Sequence, residues 1–219
     1  MPLNERLILL DLDGPVLDVS PRYHRLHAEL VSAAGGTPLS AGEYFSLKRS
    51  RESEADIMRR TGVPAGRLAE LGARRLELIE TRPYLELDRL WPWSLETLAE
   101  LRRLAPLVLV TQRTRADLLE WQLAYTGVAP FLALVLSGRE DETGLAKANR
   151  VRRAGLVLGP GSVLVGDTEV DVVSGRELGV ATVALRTGIR DDEHLAACRP
   201  DVLLDSLQAL PRWLTERGR

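Results

Sequence analysis

Short apolar runs, separated by longer stretches of mixed polarity, set the rhythm of this chain. Leu7–Leu10, Leu107–Val110, Leu132–Leu136, Val163–Val165, Val180–Leu185 and Val202–Leu204 are almost wholly apolar. Continuous rather than alternating apolar character marks strands buried on both faces. From Leu107 onward, helical patterns fall between these runs, at Arg115–Tyr125, Leu145–Ala154, Val170–Leu178 and Leu207–Glu216. Gly127, Gly155 and Gly179 stand where those helices would end. The alternation predicts an α/β fold, with a mostly parallel sheet and helices on both faces.

From about Asp18 to Asp88 the rhythm breaks. No comparable apolar run occurs there, and Arg22–Ala34, Ala41–Lys48, Glu52–Arg60 and Pro64–Glu80 all have helical patterns. In the last of these, Leu68, Leu71, Leu78 and Ile79 can share one face. The segment is expected to be a helical insert, dividing the chain into a core of residues 1–17 and 89–219 and an inserted unit of residues 18–88. Gly14–Ser20 and Thr81–Pro92 would be its hinges.

Three strand ends carry candidate chemistry. The first delivers Asp11 and Asp13, the “LVLV” strand delivers Thr111, and the “VLV” strand delivers Gly166-Asp167, with Asp171 four residues on. Ligands of open α/β sheets bind beyond the carboxyl ends of the strands. Neighbouring strands would therefore gather four carboxylates and a hydroxyl in one crevice. Clustered carboxylates repel unless a hard cation joins them, and Mg2+ takes such oxygen ligands, often together with substrate phosphate. Plainer readings exist. Asp-Gly-Pro is good turn material, and Thr168–Asp171 has the spacing of a helix capping box. An EF-hand loop is excluded, because Pro15 occupies a ligand position and Arg22 stands where the closing Glu belongs.

Composition sharpens one residue. Among 29 basic residues only Lys48 and Lys147 are lysines, so Lys147, at the start of a helix, departs from the chain's own habit. A compact ammonium balances carboxylates and phosphate without imposing a guanidinium fork. The net charge is only -2, and no aromatics interleave with a basic stripe, so no nucleic-acid surface is expected. A single cysteine, Cys198, and the short apolar run near the N-terminus fit a soluble, cytoplasmic protein without a leader or membrane span. G-x-S-x-G, Walker A and strand-to-helix G-x-G-x-x-G motifs are absent from the sequence.

Taken in order, “LILLDLDG”, “LVLVT”, Lys147 in “GLAKANRV” and “VLVGDTEVD” resemble the four motifs of the haloacid dehalogenase-like (HAD) superfamily, in particular its phosphoglycolate phosphatase-like members. The resemblance covers the whole core and implies a Rossmann-like sheet with a helical cap inserted after the first motif. It also implies a Mg2+-dependent phosphatase acting on a small phosphorylated metabolite through an aspartyl-phosphate. Asp11 would be the nucleophile, and Asp13 the general acid and then base. The Asp11 carboxylate, the Asp13 backbone carbonyl and Asp167 would hold Mg2+, supported by Asp171. Thr111, Gln112 and Lys147 would bind the phosphoryl group. Two residues depart from the family pattern: Pro15 replaces the usual Thr or Val, and Gln112 the more frequent Asn.

Dehalogenases lack the second aspartate, which argues against that reaction, and phosphonatases lack the acid at Asp13. A phosphomutase acting on a sugar phosphate would share every core residue named. A non-catalytic phospho-ligand-binding protein with the same fold is the alternative outside enzymes. Within the insert, His24, His27, Lys48, Arg49 and Arg51 are the candidate substrate contacts, set against the plainer reading of solvated or packing positions. The sequence specifies no oligomeric state.

Overall fold

The structure is a computed structural model that describes residues 6–138 and 145–217. Residues 1–5, part of the stretch read for a leader, and Gly144 before Lys147 lie outside the described residues. In chain order the elements are β1 (Ile8–Leu10), β2 (Leu17–Asp18), α1 (Ser20–Ala33), α2 (Ala41–Arg49), α3 (Glu54–Arg60), α4 (Leu68–Leu78) and α5 (Arg82–Leu85). There follow β3 (Arg89–Leu90), α6 (Ser94–Leu104), β4 (Leu107–Val110), α7 (Ala116–Tyr125), β5 (Leu132–Leu136), α8 (Ala146–Arg153) and β6 (Val163–Gly166). The chain continues through α9 (Glu169–Glu177), β7 (Ala181–Leu185), α10 (Asp192–Ala197), β8 (Val202–Leu204) and α11 (Leu210–Arg217).

Six strands form one parallel sheet in the order β5-β4-β1-β6-β7-β8. The apolar runs become these strands because both sheet faces are covered. Ile8, Leu10, Leu107, Leu109, Val163 and Val165 pack into one cluster, and Leu7, Leu9, Val108, Val110 and Leu164 into another. Every residue of β1, β4 and β6 is buried. The α/β architecture with a helical cap is therefore as expected, and β1 lies centrally between β4 and β6, the two other motif-bearing strands.

The cap helices α1–α5 hold an apolar cluster of Leu26, Leu30, Val31, Met58, Val63, Leu68, Leu71 and Ile79. The face expected from Leu68, Leu71, Leu78 and Ile79 is thus the one that packs inward, Leu78 only partly buried against the cluster. The Pro64–Glu80 helix is shorter than its pattern, beginning as a 3-10 turn at Ala65–Arg67 and ending at Leu78. A two-stranded antiparallel pair, β2 with β3, joins Leu17 to Leu90 and Asp18 to Arg89, bringing the two chain crossings side by side. Strands of two residues have no period to detect, so the sequence pattern does not expose them. Nor did it single out α6, which follows the Pro92 hinge, or the six-residue α10.

Candidate active site

β1 ends at Asp11, whose N–H donates to Val165 O at 2.9 Å and continues the ladder toward β6. Thr111 N–H likewise donates to Leu136 O at 2.9 Å. Parallel neighbours in register place their carboxyl ends together. A cavity of about 490 Å³ opens there, lined by Asp11, Asp13, Thr111, Gln112, Lys147 and Asp167, among others.

Lys147 is almost wholly buried, with Nζ 2.7 Å from Asp11 Oδ2 and 2.6 Å from Asp171 Oδ1. Burial would lower its pKa, but Asp11 and Asp171 outweigh it and keep the ammonium charged. Asp171 also reaches back along α9, its Oδ2 accepting from Thr168 N at 3.0 Å and Thr168 Oγ1 at 2.7 Å. Asp171 therefore caps α9, the plainer of its two readings, and also holds Lys147. It does not line the cavity.

Asp11, Asp167 and Asp171 bring carboxylate oxygens within 4.8 Å of one another. Burial and the neighbouring Asp171 push Asp11 up to about 7 despite the opposing pull of Lys147. Burial and Asp11 push Asp167 well above the usual carboxylate range. An all-oxygen set so crowded with negative charge suits a small hard dication such as Mg2+. Asp167 is held by Ile189 N–H at 2.8 Å. Glycine is required around it: a Cβ on Gly188 would lie 1.8 Å from Asp167 Oδ2, and one on Gly14 2.6 Å from Asp167 Cγ. Gly14 also has φ +91, a conformation L side chains rarely adopt.

Asp13 faces two arginines. Arg113 Nε and Nη2 donate to its two oxygens at 3.0 and 2.7 Å, and Arg22 Nη2 donates at 2.9 Å. Burial alone would raise its pKa, but Arg113 and Arg22 hold it down at about 2. Both arginines also meet Asp88, at 3.0 Å from Arg22 and 3.3 Å from Arg113. Gln122 donates to Asp88 at 2.8 Å.

A family model described as haloacid dehalogenase-like hydrolase matches residues 5–179, and a second, HAD-hydrolase-like, matches residues 151–210. The chain belongs to the haloacid dehalogenase-like hydrolases. It is similar to the plasmid phosphoglycolate phosphatase of Cupriavidus necator, at 29% identity over 95% of this chain and 92% of that one. It is also similar to a phosphoglycolate phosphatase of Synechococcus elongatus, at 28% identity over 97% of this chain and 98% of that one. A solved structure of a putative phosphatase from Clostridium difficile superposes with a TM-score of 0.77 at 14% identity, covering 97% of this chain and 100% of that one, and shares the fold.

Within this HAD-like frame the core candidates Asp11, Asp13, Thr111, Gln112, Lys147 and Asp167 converge, while the five cap candidates do not line the cavity. His27 is fully buried inside the cap, 4.5 Å from the Tyr44 ring and 3.4 Å from Glu54. Lys48 pairs with Glu54 at 3.3 Å. His24 Nε2 is 2.9 Å from Leu39 O. Arg49 donates to Gly188 O at 3.0 Å and to Arg186 O, and Arg51 lies 3.3 Å from Glu169. None of the five lines this cavity; they make contacts within the cap or reach Glu169 and the 186–188 backbone. An i, i+3 spacing says that His24 and His27 share a face, not which way it turns. The cap side of this HAD-like cavity is instead built from Arg22, Tyr23, Arg75, Leu76, Ile79 and Glu80. Arg22 and Arg113 escaped the sequence reading because arginine is so common here. Arg113 did carry a signal, two residues past Thr111 on the same strand-end loop.

Proposed function

We propose that this HAD-like hydrolase is a Mg2+-dependent phosphatase that hydrolyses a small phosphomonoester through an aspartyl-phosphate on Asp11. The observation carrying this reading is the buried Asp11–Lys147–Asp171 chain beside Asp167, opening onto a cavity large enough for a small metabolite. The similarity to phosphoglycolate phosphatases favours a small phosphorylated acid as substrate. We take residues 18–88 as the cap and residues 1–17 and 89–219 as the core. The paired crossings at β2 and β3 and the separate apolar cluster of the cap support this division. The sole cysteine, Cys198, supports a reducing, cytoplasmic setting. No helix among the described residues is long and apolar enough to cross a membrane.

In this mechanism an Asp11 oxygen attacks phosphorus in line, opposite the leaving oxygen. Lys147 and Thr111 take the phosphoryl oxygens, whose negative charge spreads as the bond to the leaving group breaks. Asp13 gives its proton to the leaving oxygen, then takes one from the water that attacks the aspartyl-phosphate. Arg113 and Arg22 in contact with Asp13 favour its ionised form, so the acid step requires one of these pairs to loosen. The Asp11 and Asp167 carboxylates and the Asp13 backbone carbonyl would hold Mg2+, and Asp171 would support them through Lys147. When bound, the cation supplies further neutralising charge at the phosphoryl group.

Phosphate release from a panel of small phosphomonoesters, with Mg2+ and with EDTA, tests the reading. Turnover should require the metal and disappear in Asp11→Asn, whose fold is checked by circular dichroism. Undiminished turnover in Asp11→Asn would remove Asp11 as nucleophile.

A further inference from the structure

Among the described residues, five cationic side chains line the cavity: Arg22, Arg75, Arg113, Lys147 and Arg190. Four are closely matched by carboxylates. Lys147 lies 2.7 Å from Asp11, Arg22 and Arg113 lie 2.9 and 2.7 Å from Asp13, and Arg190 lies 2.7 Å from Glu169. Arg75 differs. It pairs with Glu54 at 3.5 Å, and its buried Nε, like that of Arg22, makes no hydrogen bond. Glu54 is shared, serving Lys48 at 3.3 Å, His27 at 3.4 Å and the Tyr44 hydroxyl at 3.1 Å. Among the described residues, Arg75 is therefore the cavity cation with the longest carboxylate contact.

Its position is nevertheless fixed. The guanidinium lies 5.3 Å from the centre of the Tyr23 ring, and Arg22 lies 5.1 Å from the same ring. Tyr23 is thus a spacer between Arg22, which touches Asp13 at the reaction centre, and Arg75 further into the cap. The Arg75 side chain is only 14% exposed, so an anion meeting it is poorly screened. Leu76 and Ile79 from the same stretch add apolar wall beside it. The result is a held guanidinium, on a long contact to a shared carboxylate, facing the same cavity as the proposed nucleophile.

We propose that Arg75, seated on Tyr23, is the specificity-determining residue of the cap and takes a carboxylate carried by the leaving group of the phosphomonoester. This rests on the phosphatase reading above. A carboxylate and a guanidinium match as two parallel hydrogen bonds, a geometry that a hydroxyl cannot copy. In this way the core holds the phosphoryl group and the cap reads what is attached to it.

The test compares kcat/KM for 2-phosphoglycolate and 2-hydroxyethyl phosphate, esters of similar length that differ in carboxylate against hydroxymethyl. The wild-type protein should prefer the carboxylate ester by roughly ten- to hundredfold. Arg75→Gln should lower that ratio about tenfold or more, chiefly through KM. Arg75→Lys, which keeps a charge opposite Glu54 and so protects the fold, should lower it less. The readout is a ratio of two rates on one protein, so a general loss of activity cancels. A ratio unchanged in both variants would overturn the assignment, as would a wild-type enzyme indifferent to the carboxylate. Hydrolysis of both esters without preference removes the Arg75 subsite alone. Wild-type protein that releases phosphate from neither ester, nor from the wider panel with Mg2+, removes the phosphatase reading and the subsite with it.

Discussion

Single residues here act through what they exclude as much as through what they touch. Gly188 is the clearest case. Its missing side chain leaves room for Asp167, since a Cβ would sit 1.8 Å from Oδ2. The adjacent Ile189 N–H then holds the same oxygen. Gly188→Ala must displace either the loop or the carboxylate. It is expected to weaken Mg2+ binding roughly tenfold, the usual size of an effect on a ligand's supporting contacts. Titration calorimetry with Mg2+ measures it directly, and an unaltered affinity would show that the loop rather than the carboxylate gives way. Arg113 acts in the opposite way, by contact. It spans Asp13 and Asp88, joining the proposed acid–base residue to the second hinge crossing.

Among the elements, the cap helices depend on a buried polar knot as well as on their apolar cluster. Tyr44 of α2, His27 of α1 and Arg75 of α4 meet around Glu54, the first residue of α3. Burial would raise the Glu54 pKa, but His27, Arg75 and Lys48 outweigh it and hold the carboxyl at about 2, below its ordinary 4.5. A depressed carboxyl pKa stabilises the fold above the unfolded value, and that stability is lost as pH falls through the folded value. Glu54 should therefore contribute up to about 3 kcal/mol above pH ~4.5, vanishing toward pH ~2. Unfolding midpoints of wild type and Glu54→Gln, compared across that window, should converge as pH falls. A constant difference would mean that Glu54 titrates normally.

For the molecule as a whole, cap and core are joined at several points around the cavity. Glu80 accepts from Thr114 N and Arg115 N, each at 2.9 Å. Arg49 grips the 186–188 backbone, whose loop continues to Ile189 at Asp167. Asp11, Asp167 and Asp171 bring carboxylate oxygens within 4.8 Å of one another, and a ligand that binds only the folded state raises its stability. Mg2+ should thus raise the Tm of the whole protein by a few degrees over the value in EDTA. The increment should vanish in Asp167→Asn. An equal increment in that variant would place the metal elsewhere.

The order of apolar runs and the four motifs were enough to establish the parallel sheet, the helical insert and the candidates Asp11, Asp13, Thr111, Lys147 and Asp167. These depend on short-range facts: a run buried on both faces is apolar throughout, and a residue just past a strand lies at the sheet's carboxyl edge. The rotation of each cap helix is another matter, because it depends on which neighbours cover it. His27 turns into the cap while Arg75 and Tyr23 turn to the cavity, and no spacing in the sequence distinguishes them. Likewise Arg22 and Arg113 are ordinary arginines, separated by ninety-one positions, until folding places both on Asp13. The core candidates lie just past strand ends and were therefore legible; the residues the cap turns to the cavity come together from distant segments, and only the tertiary structure decides which they are.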